Sequence, residues 1–268
     1  MAMIYGNRPP TVLTIAGSDS GGGAGIQADI KSISANGCYA LSAITAITAQ
    51  NSHSVTDIHK IPLSTIAAQL EAVLSDFPID TIKIGMLGDA DIIETVAKVL
   101  KKQPKLPPII LDPVMISKAG APLLEESAIE SLKAHLLPLA TLVTPNLPEA
   151  QILAKLPDAL DPYILAQKIA PQGNILIKGG HRESKDVIDY LQLANGSVFL
   201  FEQAKIISKN THGTGCSLSS AIAANIALKQ DLQTAVKQAN EYIYNAIQAS
   251  QNWQLGQGHG PIAHFDYR

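Results

Sequence analysis

The 268-residue sequence predicts an α/β fold built on one central, mostly parallel sheet. Three observations predict it. From residue 12 onward, short aliphatic runs alternate with amphipathic stretches of helical length, the pattern of repeated βαβ units. Hydrophobic residues make up 46% of the chain but aromatics only 4%, so a core of Ala, Ile, Leu and Val is expected. No composition shift, repeat or low-complexity linker divides the chain, so one domain is expected.

The elements follow in order. Val12 to Ala16 is the first expected strand, and the glycine-rich run Gly17 to Gly25 leads into a helix over Ile26 to Ala35, ended by Asn36-Gly37. Ala43 to Ala49 reads as a second buried strand closing on Gln50-Asn51, with a short extra strand over Val55 to His59. A helix over Leu63 to Ser75 precedes strand Thr81 to Ile84, which runs into Gly85-Met86-Leu87. A helix over Asp91 to Lys101 leads to strand Pro108 to Leu111 and the turn Asp112-Pro113-Val114. Ser117 to Pro122 reads as a mobile loop before a helix over Glu126 to His135. Strand Leu142 to Thr144 ends on Pro145-Asn146-Leu147-Pro148-Glu149. A helix over about Tyr163 to Ala170 then precedes strand Ile175 to Ile177 and Lys178-Gly179-Gly180-His181. There the period changes: Val187 to Leu193 and Ser197 to Phe201, joined through Asn195-Gly196, read as a β-hairpin. A glycine turn at Asn210 to Cys216 delivers the chain into a small-residue helix over Ser217 to Leu228, and a last helix lies near Leu232 to Ser250.

A net charge of −3, with only 16% of residues charged, argues against nucleic acid or an anionic membrane as the main partner. Two cysteines, Cys38 and Cys216, are too few for a disulfide framework and fit a reducing compartment. The first ten residues carry no apolar signal core, and no run approaches the roughly 18 apolar residues that span a bilayer. A soluble, cytoplasmic protein is expected. The seven histidines show no metal-ligand spacing, so no zinc site is expected.

Polar or glycine-rich clusters fall where strands end: Gly17 to Gly25, Gln50, Gly85-Met86, Asp112, Asn146 and Lys178. The ligand crevice of an open α/β sheet lies outside the carboxyl ends of its strands, which makes these six endings candidates for one site. The turn Thr211-His212-Gly213-Thr214-Gly215-Cys216 stands out. Gly213 and Gly215 let successive N–H groups converge on an anion at a helix N-terminus, where the dipole is positive. The same residues also read as an ordinary glycine-capped helix start. No Gly-Lys-Ser/Thr follows, so this is not a Walker A loop. Cys216 tips the balance toward function, because a thiol at a helix N-terminus is expected to have a lowered pKa. The first loop, Gly23-Ala24-Gly25-Ile26-Gln27-Ala28, matches a dinucleotide fingerprint. The region Ala43 to Asn51 lacks the acid that would hold a ribose, which argues against a dehydrogenase.

The other candidates each have two readings. Asp29 is either a helix-start charge or a carboxylate facing the crevice, ready to accept from a substrate's amine or hydroxyl. Gln50 is a polar strand cap or an amide reading a heterocycle's edge. Asn146 and Glu149, three apart, form a helix cap or hold a metal–phosphate pair, with Mg²⁺ keeping several waters. Asp112 is a strand-ending turn or a metal-site acid, and Lys178 a solvated lysine or a phosphate contact.

Together, Gly17 to Asp29, Thr48-Ala49-Gln50-Asn51, Lys83-Ile84-Gly85-Met86-Leu87, Leu111-Asp112-Pro113-Val114-Met115, Thr144 to Ala150, Lys178-Gly179-Gly180-His181 and Asn210 to Cys216 closely resemble the hydroxymethylpyrimidine/phosphomethylpyrimidine kinases of thiamine biosynthesis, in the ribokinase-like superfamily. The motifs stand in the family's order over residues 12–268, leaving 1–11 as an N-terminal extension. The resemblance implies a three-layer α/β/α domain, ATP and Mg²⁺ as cofactors, a homodimer, and a kinase acting on hydroxymethylpyrimidine and then on its monophosphate. It assigns Asp29, Gln50, Met86 and Val114 to the pyrimidine, and Asn146, Lys178, Thr211, Gly213 and Gly215 to the nucleotide. Glu149 and Asp112 go to the metal, Gly213, Thr214 and Gly215 to the anion hole, and Cys216 to the base position. Much of the superfamily has Asp there, in a Gly-Ala-Gly-Asp loop. The Thr-Gly-Cys version is shared with a subset of pyridoxal kinases, so a pyridoxal or pyridoxine kinase is the alternative. A non-catalytic pyrimidine-binding regulator is the reading from another class.

Overall fold

The computed structural model describes residues 8–115, 126–180 and 185–266. The expected loop over Ser117 to Pro122, and His181, lie outside the described residues. Among the described residues, nine strands form one sheet in the order β3-β2-β1-β4-β5-β6-β7-β8-β9: β1 Thr11–Asp19, β2 Tyr39–Gln50, β3 Val55–Lys60, β4 Thr81–Ile84, β5 Ile109–Leu111, β6 Leu142–Val143, β7 Ile175–Ile177, β8 Asp186–Gln192 and β9 Val198–Ala204. The β1–β2, β1–β4, β4–β5, β5–β6 and β6–β7 pairs are parallel; β2–β3, β7–β8 and β8–β9 are antiparallel. The mostly parallel sheet is as expected. Gly196, at φ 84°, makes the hairpin turn between β8 and β9.

Among the described residues, eight α-helices cover the sheet: α1 Gly25–Ala35, α2 Leu63–Asp76, α3 Ala90–Lys101, α4 Glu126–His135, α5 Leu147–Ala154, α6 Pro162–Ile169, α7 Thr214–Ala227 and α8 Leu232–Ser250. Strand alternation decides which helices meet which face. Leu13, Ile15, Ile82, Ile84, Ile109 and Leu111 point into a core with α2 to α6, while Val12, Ile110, Leu142 and Leu176 point into a core with α1, α7 and α8. The result is three layers in one domain. Start signals are local: the Asp89 side chain accepts from Ile92 N–H to begin α3, and Asp231 accepts from Thr234 N–H to begin α8. β1 lies between β2 and β4, so the chain reverses direction across the sheet there. That switch opens a crevice at the carboxyl ends of the strands.

Candidate active site

The backbone ladder continues past the strand ends and sets the site's residues in a row. Asp112 N–H donates to Ile84 O at 2.9 Å, Thr144 N–H to Leu111 O at 2.9 Å, and Lys178 N–H to Pro145 O at 2.9 Å. Thr14 and Lys83 are register partners on β1 and β4, on the face opposite Leu13 and Ile82. The same alternation that fills one core with isoleucine therefore aims Thr14 and Lys83 at α1 and α7.

Two ion pairs lie between the sheet and α7. In the inner one, Lys83 Nζ donates to both oxygens of Asp29, at 2.9 and 2.8 Å, and both side chains are 0% exposed. Thr14 Oγ1 donates to Asp29 Oδ2 at 2.6 Å, and Ser220 Oγ to Oδ1 at 2.8 Å. The expectation that Asp29 faces the crevice is thereby corrected: its carboxylate is sealed in, taking four hydrogen bonds from three side chains. In the outer pair, Lys178 Nζ donates to Asp112 Oδ1 at 2.8 Å. Thr144 Oγ1 and Ser219 Oγ complete Asp112 at 3.2 and 3.3 Å. Lys178 keeps 14% of its side chain exposed against 2% for Asp112, so it is a paired, partly open ammonium and not a solvated lysine. Burial acts to lower its pKa, but Asp112 and Glu149 outweigh it and raise it above the lysine norm.

The glycine turn meets this row from above. Gly213 caps α7 at φ 79°, and the helix begins at Thr214, three residues before the expected Ser217. Thr214, Gly215 and Cys216 are thus its first turn. A Cβ on Gly215 would sit 3.4 Å from Lys178 Nζ and 3.7 Å from Asp112 Oδ2, so the bare backbone rests on the outer pair. Cys216 is half-buried, and its thiol is pushed up to about 11. Burial is the main cause; Lys83 pulls the other way, Asp29 and Asp112 push up, and the Gly25 N–H pulls down. The lowered pKa expected from the helix N-terminus is therefore corrected: at this thiol, desolvation wins.

Asn146 and Glu149 form the capping box that one reading foresaw. Asn146 Oδ1 accepts from Glu149 N–H at 2.9 Å, and Glu149 Oε2 from Asn146 N–H at 2.8 Å. Glu149 Oε1 also accepts from Met115 N–H at 3.4 Å. The two readings are compatible, because Glu149 is buried beside Asp112 and Lys178. Burial raises its pKa to about 7, with Lys178 lowering and Asp112 raising it further. Among the described residues no three His, Cys, Asp or Glu side chains cluster as a metal cage.

Gln50, at the end of β2, accepts from Thr48 Oγ1 at 3.2 Å, and its Nε2 lies 3.4 Å from His212 Nε2. Met86 packs over Gly17, whose N–H donates to Met86 O at 3.0 Å. Val114 and Thr211 are half-buried. The strand endings do converge. Sequence reasoning missed Lys83, Asp19, His212, and the hydroxyls of Ser219 and Ser220, which it read only as part of a small-residue helix. A lysine breaking the aliphatic run Thr81 to Ile84 was the available signal for the first; the others carried none.

The family profile described as phosphomethylpyrimidine kinase matches residues 19–263. The chain belongs to this family. The hydroxymethylpyrimidine/phosphomethylpyrimidine kinase of Haemophilus influenzae is 49% identical over 263 residues, covering 96% of this chain and 97% of the relative. Among solved structures, the phosphomethylpyrimidine kinase of Clostridium difficile aligns at TM-score 0.78 and 39% identity, over 88% of this chain and 99% of that one. An ADP complex of Bacillus subtilis pyridoxal kinase aligns at TM-score 0.87 and 34% identity, over 96% and 98%. The fold of this phosphomethylpyrimidine kinase family member is ribokinase-like, and it is a kinase. Among its described residues, no helix is long and apolar enough to cross a membrane.

Proposed function

We propose that this protein uses ATP to phosphorylate the hydroxymethyl group of hydroxymethylpyrimidine, and then the resulting monophosphate to the diphosphate, in thiamine biosynthesis. The observation that carries the reading is the first turn of α7 resting on the Lys178–Asp112 pair, in a chain of this family. On this reading the amides of Gly213, Thr214 and Gly215 take the charge of the transferring phosphoryl group, and Lys178, Asn146 and Thr211 hold nucleotide phosphates. Gln50, Met86 and Val114 line the pyrimidine's place. Asp29, sealed beneath, acts through Lys83 and Ser220 and not on the ligand directly. The enzyme is taken as a cytoplasmic homodimer, with 1–11 as an extension to the kinase domain.

Mg²⁺ fits these residues. It keeps several waters and binds through one or two carboxylates plus substrate phosphates, so two buried acids, Asp112 and Glu149, are donors enough. A cation there favours the ionised form of Glu149, whose pKa is raised to about 7, chiefly by burial. When bound, Mg²⁺ neutralises charge on the transferring group.

Cys216 Sγ would take the proton of the attacking alcohol. With its pKa pushed up to about 11, the thiol is protonated at neutral pH, and only a small thiolate fraction can act as base. The first phosphorylation should therefore quicken as pH rises from about 7 to about 9. The second, whose phosphate nucleophile is already deprotonated above a pKa near 6, should stay flat. Cys216→Ser should slow the first step by roughly 10²-fold and the second far less. The two steps are assayed separately, from alcohol and from monophosphate, by ADP and product formation with Mg-ATP. Equal losses in both steps would make Cys216 a structural part of the turn. Pyridoxal is the comparison substrate, because a pyridoxal kinase shares the fold. Faster turnover of pyridoxal would replace the pyrimidine, and no turnover of either would leave the regulator.

A further inference from the structure

The glycine loop after β1 has the composition of a phosphate cradle, yet its amides already hold an anion of the chain's own. Asp19 Oδ1 accepts from Gly21 N–H at 2.8 Å, and Oδ2 from Gly23 and Ala24 N–H at 3.1 and 2.8 Å. The fourth partner comes from the other glycine segment: His212 Nε2 lies 2.9 Å from Asp19 Oδ2. Facing a carboxylate, Nε2 must carry the proton and donate it. Asp19 is 3% exposed and His212 16%. Burial acts to raise the Asp19 pKa, but His212 and the loop amides outweigh it and hold the carboxyl below its ordinary value.

His212 immediately precedes the turn at Gly213. The two glycine segments touch there: a Cβ on Gly213 would collide with the Gly23 carbonyl, and one on Gly23 with the His212 ring. His212 N–H also donates to Gly260 O at 3.0 Å, and its Nε2 is 3.4 Å from the Gln50 amide. The turn is tied on its C-terminal side by α7, through Ser219 and Ser220. On the other side the ties are His212 and, further back, Asn210, whose Nδ2 donates to the carbonyls of Ser250 and Trp253.

We propose that Asp19 and His212 are a positioning pair for phosphoryl transfer: they latch the turn Gly213–Cys216 onto the glycine loop and hold its amides in the reactive arrangement. The proposal rests on the reading of that turn as the transfer site. On this proposal the pair acts through the backbone of the turn and not on the reacting atoms. Losing the latch lets the turn shift, and a displacement of about 1 Å costs as much as 10²-fold in rate.

The test compares Asp19→Asn, His212→Ala, His212→Gln and the double variant Asp19→Asn/His212→Ala in the full chain. It reads melting temperature, and kcat and KM per folded molecule with Mg-ATP and hydroxymethylpyrimidine. Both single variants that break the latch should lose about 10- to 100-fold in kcat, with KM for ATP and pyrimidine within about threefold. The double should be no slower than the slower single, because the pair acts as a unit. His212→Gln, which keeps an N–H donor, should recover to within about fivefold of the parent. A kcat within about twofold of the parent in both singles, or losses that multiply in the double, would overturn the latch alone. A parent chain that turns over neither pyrimidine nor pyridoxal would overturn the underlying reading, and the latch with it.

Discussion

The inner and outer ion pairs are made of the same parts and do different work. Each joins a lysine and an aspartate, and each carboxylate takes a bond from one of two consecutive α7 serines, Ser220 inside and Ser219 outside. The inner pair is 0% exposed on both sides, whereas Lys178 in the outer one is 14% exposed. A charge buried without a partner costs several kcal/mol, so Lys83 and Asp29 are bound to each other before anything else. Lys178 has a Gly215 backbone over it and keeps an open edge, and on the proposed reading an incoming phosphate shares its charge there. A lysine's availability, and not its presence in a motif, separates a brace from a contact.

The comparison breaks most visibly at Lys83. Lys83→Met strands Asp29 without its cation and should cost about 3–5 kcal/mol, lowering the melting temperature by about 10 °C. Asp29→Asn/Lys83→Met, with no charge left, should recover most of that. Equal stability of single and parent in thermal melts would show the inner pair to be no brace.

Lys178→Met should do the reverse. Its effect should fall on turnover, about 10²-fold with Mg-ATP, and its melting temperature should fall less than that of Lys83→Met. A variant that melts as early as Lys83→Met and turns over normally would make the two pairs alike.

The smallest effect concerns Glu149, the titrating acid that only the outer pair has beside it. Its pKa in the fold, about 7, lies above the ordinary 4.5, so the folded chain binds this proton more tightly than the unfolded one. The stability this gives is full below about pH 4.5 and is lost as pH rises through about 7, on the order of 1–3 kcal/mol. Melts across that window should show the parent losing ground to Glu149→Gln. Parallel curves would mean that the acid is not titrating there.

Much of this was legible in the chain. Strand β4, strand β7 and helix α4 fall on the residues that aliphatic runs and amphipathic spacing predict, and the Asn195-Gly196 hairpin falls where its turn chemistry puts it. These are local matters: propensity, periodicity and turn residues act over a few neighbours. The row Asp112, Asn146, Lys178 was likewise foreseeable, because in a parallel sheet every strand end falls on one edge. Tertiary structure alone decided which helix covers which face, and with it what each charged group meets. It turned Asp29 away from the crevice onto Lys83, filled the glycine loop's amides with Asp19, and joined His212 to it from 193 residues away. It also reversed the expected pKa of Cys216, since a helix N-terminus is written in the sequence but the desolvation of a thiol is not. Burial is a property of what packs against a group, and that is settled only when distant segments meet.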